Sequence, residues 1–181
     1  MTWKIIAAGR PSLEFAKIGI EEYLGRLSTY AKVECHFVKT GPRLHERMLE
    51  LSGGCHRVLL DERGKTFASR AFSAEIQKLR NRSIPRLALL VGASDGWDET
   101  MRSQADLLWS LGPQTLQHEL ALLVALEQIY RAETILAGTP YHRDCPPIRA
   151  SQAKDKKFVR SSKFFVGGYR ASPHTQNLRS D

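Results

Sequence analysis

The chain has 181 residues, 42% of them hydrophobic and 25% charged, with a formal net charge of +8. That length holds one domain with a real core plus an appendage, and no apolar run is long enough to span a membrane. The basic excess favours a polyanionic partner, nucleic acid first, with a merely solvated basic tail as the alternative.

The N-terminus, Met1-Thr2-Trp3-Lys4-Ile5-Ile6, runs straight into a strand pattern and lacks the basic and apolar segments of a signal peptide. The three cysteines, Cys35, Cys55 and Cys145, are widely spaced and form no C-x-x-C. That argues against a disulfide framework or a zinc site and fits a reducing cytoplasm.

In chain order, Trp3 to Ala8 predicts a strand closed by Gly9-Arg10-Pro11, and Ser12 is a plausible N-cap for a helix over Leu13 to Leu27. Val33 to Val38 alternates apolar and polar residues and predicts a second strand. Gly41-Pro42 breaks it, and a short helix over Leu44 to Leu51 ends at Gly53-Gly54. Arg57 to Asp61 and Arg86 to Val91 are continuous apolar runs, the pattern of parallel strands covered on both faces. Glu62 to Lys65 reads as the loop after the first of these, and Ser69 to Leu79 as helix. The loop Gly92 to Gly96 precedes a helix over Trp97 to Ala105, with Asp98 and Glu99 in its first turn, where acidic residues suit the dipole. Leu107 to Ser110 is a fifth strand, stopped by Gly112-Pro113. From Leu116 to Ile135 apolar residues recur at spacings of three and four, and Gly138 and Pro140 end a long helix. Strands and helices alternate throughout, which predicts an α/β domain with a mostly parallel sheet flanked by helices.

The long helix is apolar all round from Ala121 to Leu126, so more than one side of it needs cover, the second of which a partner subunit can supply. Glu127 and Arg131 stand at i and i+4 and can pair. Periodicity alone leaves this as a buried C-terminal helix with an internal ion pair. His118, in its first turn, reads as a neutral capping or packing residue. Tyr141-His142-Arg143 differ, because they follow the helix end. Arg clamps phosphates bidentately, and Tyr or His stacks on an unstacked base. Asp61, Asp95, His118 and His142 show no recognised metal spacing.

Trp109-Ser110-Leu111, Thr115-Leu116, His118, Leu120, Glu127 to Ala132 and Tyr141-His142-Arg143, together with Leu60 to Lys65, Leu89 to Gly96, Gly9, Glu22-Tyr23-Leu24 and Arg26, resemble the bacterial 23S rRNA (pseudouridine-N3)-methyltransferase family of the SPOUT superfamily. The resemblance runs from about Trp3 to Arg143. It implies a C-terminal trefoil knot, which nothing in the hydrophobic pattern shows, and S-adenosylmethionine bound there at a homodimer interface. It also implies a substrate pseudouridine in 23S rRNA on the ribosome. By position, Leu60, Gly92 and the run Leu111, Gly112, Pro113, Gln114, Thr115 and Leu116 correspond to the cofactor contacts. Tyr141, His142 and Arg143 correspond to the cluster that closes over cofactor and substrate, partly from the partner chain. No metal is needed, since the methyl group arrives already activated on a sulfonium.

The chain departs from the family pattern at Gln117, where Pro is usual, and at Leu122, where Arg is usual. The segment between Val38 and Arg57 is shorter. The chain also continues past Arg143. Residues 144–181 hold eight Lys/Arg and three Asp/Glu, so +5 of the +8 lies there. They open with Pro146-Pro147 and then interleave basic residues with Phe158, Phe164, Phe165 and Tyr169, which suits RNA through phosphate contacts and stacking. A partly disordered basic tail is the alternative. Domain 1–143 and extension 144–181 are thus expected. A non-catalytic RNA- or ribosome-binding protein on the same scaffold is the second functional reading. A Rossmann-type enzyme is disfavoured, because the Gly92 loop lacks the G-x-G-x-x-G fingerprint.

Overall fold

Five strands, β1 (Thr2–Ala8), β2 (Lys32–Val38), β3 (His56–Thr66), β4 (Arg86–Val91) and β5 (Leu107–Ser110), alternate with five helices. These are α1 (Glu14–Leu27), α2 (Leu44–Leu51), α3 (Ser69–Asn81), α4 (Glu99–Ser103) and α5 (His118–Leu136). The structure is a computed structural model that describes residues 1–143, and these form one compact unit. The expected extension, 144–181, lies outside the described residues. The sheet order is β2-β1-β4-β3-β5, and every pairing is parallel.

The period of two in each strand feeds two separate cores. Trp3, Ile5, Ala7, Leu87, Leu89 and Val91 face one side, where α1, α3 and α5 bring Ala16, Ile20, Phe72, Ile76, Leu126 and Ile129. Ile6, Ala8, Ala88 and Leu90 face the other, against Leu44, Met48, Trp97 and Met101 of the α2 and α4 side. That is why the central strands read as unbroken apolar runs: each face has its own cover. On the α5 side the indole Nε1 of Trp3 donates to the carboxylate of Glu133 at 3.0 Å. Glu133 is 1% exposed and is also paired with Arg80. A buried carboxylate is tolerable because both partners satisfy it.

The structure departs from the sequence-based expectations at four places. Glu62 to Lys65 is not a loop: β3 runs on to Thr66, and Lys65 and Thr66 pair with Trp109 and Ser110 of β5 after a register shift. Gly64 permits this, since a Cβ there would stand 2.6 Å from the carbonyl carbon of Leu108. Ser12 does not cap α1. The N-cap position is Leu13, without a side-chain cap, and Ser12 turns instead to Glu119, with Oγ donating at 2.8 Å and N at 2.9 Å. The helix expected from Trp97 to Ala105 shortens to α4, capped by Asp98, whose Oδ1 accepts from Met101 N at 2.7 Å. The long helix starts at His118 rather than Leu116, because the Gln117 side chain caps it.

Candidate functional site

All five strands point the same way, so their carboxyl ends share one edge, where open α/β sheets hold ligands. A cavity of about 580 Å³ opens there, between the register shift in the middle of β3, the ends of β4 and β5, and the start of α5. Leu60, Gly92, Leu111, Gly112, Gln114, Thr115 and Leu116 line it; Pro113 is not among its lining residues. His118 also lines it. Gln117, standing where Pro is usual, accepts hydrogen bonds at Oε1 from the amides of Glu119 and Leu120 at 2.8 and 3.0 Å. It thereby satisfies two of the amides a helix start leaves open.

Trp97 is a cavity residue that sequence reasoning assigned only to a helix. It is buried, and its indole Nε1 donates to the Leu60 carbonyl at 2.8 Å, tying β3, where its register shifts, to the loop after β4. Its ring lies so close under Gly92 that a Cβ there would stand 3.1 Å from it. A Trp immediately after a glycine-rich strand-end loop was the available signal. Asp61 and Arg102 were missed as a pair. Both line the cavity. Asp61 Oδ2 accepts from Arg102 Nε at 2.7 Å, and Oδ1 accepts from the Arg63 amide at 2.8 Å. The hydrogen bond to Asp61 raises the pKa of Arg102, fixing its charge. The Ser110 hydroxyl accepts from Gly112 N at 3.1 Å and donates to Gly112 O at 2.9 Å, shaping the turn after β5.

Glu119, one residue past His118, is buried and holds the chain after β1 against α5. Its carboxylate accepts from Ser12 N, Ser12 Oγ and Leu13 N at 2.9, 2.8 and 2.9 Å. Burial pushes its pKa up, but the bonds from Leu13 and Ser12 prevail and the net shift is downward.

Tyr141, His142 and Arg143 do not line this cavity. They follow the C-terminal end of α5 and fold back along it, to the level of Glu127, Tyr130 and Arg131. There Tyr141 donates to Glu127 at 3.0 Å and stands 3.3 Å from the Tyr23 hydroxyl. The Arg131 guanidinium sits 4.8 Å from the Tyr141 ring and pairs with Glu127, as the i, i+4 spacing predicts. His142 Nδ1 lies 3.5 Å from Arg131 Nη1, and Arg143 is exposed. Burial, then the bonds to Tyr23 and Glu127, push the Tyr141 phenol far up, so it is a neutral donor and not a base. Among the described residues no group of three or more His, Cys, Asp or Glu is placed to hold a metal ion.

The family model described as "Predicted SPOUT methyltransferase" matches residues 1–142. The chain belongs to the SPOUT methyltransferase family. Ribosomal RNA large subunit methyltransferase H of Thermus thermophilus is 44% identical over 143 residues, 79% of this chain and 99% of that protein. The protein of the same name from Deinococcus radiodurans is 43% identical over 145 residues, again 79% of this chain and 99% of its own length. Within this SPOUT chain, Leu122, where Arg is usual, is 2% exposed and packs in the α5-side core. A leucine there contributes packing, not a surface contact. No helix among the described residues is long and apolar enough to cross a membrane.

Proposed function

We propose that this chain transfers a methyl group from S-adenosylmethionine to N3 of a pseudouridine in 23S rRNA, as one half of a homodimer. The names of the relatives support the large-subunit rRNA substrate. The observation that carries the composite site is the placement of the two clusters. None of Tyr141, His142 and Arg143 lines the cavity of its own chain: Tyr141 and His142 pack against Glu127, Tyr130 and Arg131, which start about 9 Å further along α5 than Ala121, a helix residue of the cavity lining. A second copy packed across α1 and α5 brings the triplet of one protomer to the cavity of the other. Leu13, Phe15 and Ile18, which are 38%, 56% and 61% exposed, put an apolar patch on α1 beside α5, suited to a two-fold interface.

The cavity fits the cofactor in size and chemistry. Its volume is within the range of small-molecule sites. Leu60, Leu111 and Leu116 offer apolar walls for an adenine, and the strand-end backbone offers donors and acceptors for its edges. Bound there, the cofactor supplies a methyl group already activated on a sulfonium. The residues of this chain do the rest. The strand-end loops, braced by Trp97 and by the Asp61–Arg102 pair, orient the donor. His142 and Arg143 hold the nucleotide and stabilise the negative charge that develops as its ring nitrogen loses a proton to solvent water. Tyr141, neutral, positions them through Glu127 and Arg131. No metal ion enters this reading. It includes the trefoil knot of SPOUT folds. A ribosomal substrate implies a cytoplasmic reaction. Residues 144–181 form a basic extension that adds RNA contacts.

The test is transfer from labelled S-adenosylmethionine to ribosomes lacking the modification, with the product mapped by mass spectrometry. Label on a 23S pseudouridine is the expected result, and a chain cut after Arg143 then measures what the extension adds. Cofactor binding with label elsewhere changes the target. No cofactor binding by a folded dimer replaces the enzyme with an RNA-binding protein.

A further inference from the structure

A second depression, about 1070 Å³ and open, lies at the same carboxyl edge of the sheet but at the β2 end. Two segments distant in sequence line it: Arg10 after β1, and the run from β2 into α2, which carries Lys39, Arg43 and Arg47. Glu50 is the one acidic residue among its lining. Arg43 and Arg47 each pair with a glutamate three residues on, Glu46 and Glu50. The Arg10 and Lys39 side chains are exposed and make no ion pair among the described residues. Their charges are thus not neutralised by a carboxylate and remain available to an anion in the groove. Cys35, also in the lining, is no nucleophile, because burial pushes its thiol to about 11.

The groove and the cofactor cavity belong to one surface. Between β2 and β3 lie three inter-strand steps, about 14 Å at ~4.8 Å each. The helix α2 joins them physically. His45 Nδ1 lies 3.0 Å from Asp98 Oδ2, and its ring stands 5.5 Å from Trp97, which braces the cavity. An extended nucleic-acid strand crosses such a distance within a few nucleotides. Separate cations along an open groove suit its regularly spaced phosphates.

We propose that the Arg10–Lys39–Arg43–Arg47 groove holds the phosphate backbone of the RNA flanking the methylated nucleotide, keeping that strand in register with the cavity. The proposal rests on the rRNA methyltransferase reading for the identity of the strand. It is distinct from the extension, because all four residues lie in the described fold.

The test uses the full chain with the charges removed in pairs. Arg10→Gln with Lys39→Gln is compared with Lys78→Gln and Arg82→Gln at the C-terminal end of α3, which remove the same charge elsewhere. Binding to oligouridylate is followed against salt, and methyl transfer to unmodified ribosomes is measured in parallel. The groove pair is expected to flatten the salt dependence by about 1.4 in logarithmic slope, ~0.7 for each phosphate of a single strand that is no longer neutralised. It raises KM for ribosomes several-fold while kcat and cofactor affinity hold. The α3 pair changes neither. An unchanged slope and KM, or an equal loss from the α3 pair, overturns the proposal, and an unchanged slope would hand the groove to an acidic protein surface. A flattened slope in a chain that methylates no ribosome keeps the groove and removes the enzyme reading instead.

Discussion

At its N-terminal end α5 meets the loops after β4 and β5 and the shifted middle of β3, and leaves a cavity of about 580 Å³ between them. Along its C-terminal half the same helix is closed over by Tyr141 and Tyr23, which meet its Tyr130, Glu127 and Arg131, and these rings and charges satisfy one another. One end is built to receive a ligand and the other to hold side chains in place. The difference has a physical origin. Backbone groups at strand ends and helix starts are left without partners by secondary structure and stay available. A Glu–Arg pair at i, i+4 within one helix, flanked by aromatics, has no such surplus.

Trp97→Ala separates the two ends most severely. Removing this buried ring from beneath Gly92 and from its bond to Leu60 costs about 3–5 kcal/mol of stability. Cofactor binding, followed by calorimetry, falls with it, whereas the packing around Tyr141 is untouched. Glu119→Gln comes next, since it weakens the bonds that pin Ser12 and Leu13 to the start of α5. We expect about 2 kcal/mol at neutral pH. The folded pKa of Glu119 is lowered. Its contribution is therefore complete above the unfolded value of about 4.3 and is lost as pH falls through the lowered folded value. Urea midpoints for wild type and Glu119→Gln differ most near neutrality and converge in acid. A gap that stays constant with pH contradicts the charged state of Glu119. Tyr141→Phe is the mildest, about 1 kcal/mol for one missing hydrogen bond. It tells the ends apart because cofactor affinity is unchanged while methyl transfer drops. A fall in cofactor affinity instead would show that the two ends of α5 are not separate.

The strands were legible because a sheet covered on both sides leaves continuous apolar runs, and Arg86 to Val91 is a strand with the bounds its sequence suggests. The extension of β3 to Thr66 was not, since its partner Trp109 lies more than forty residues on and only Gly64 hints at a close crossing. Ser12 has the chemistry of an N-cap, yet Glu119, over a hundred residues away, takes its hydroxyl. Local propensity yielded there to a tertiary carboxylate. The strand-end residues of the cavity were readable from their turn-forming composition and from family resemblance. Trp97 showed only as an aromatic beside a glycine-rich loop, and the Asp61–Arg102 pair not at all, because their roles depend on which segments the sheet order brings together. The basic groove was invisible for the same reason: Arg10 and Lys39 become neighbours only through the parallel register of β1 and β2, which ends at Ala8 and Val38.

If each site takes its cavity from one protomer and its triplet from the other, two inactive variants should complement each other when mixed. Leu111→Arg fills the cavity, and His142→Ala with Arg143→Ala removes the triplet while leaving the cavity open. After subunit exchange, half the dimers are mixed, and each mixed dimer regains one intact site, so activity should return to about a quarter of wild type. No recovery, with exchange verified by mass spectrometry, would mean that cavity and triplet act within one chain, and the shared site would be wrong.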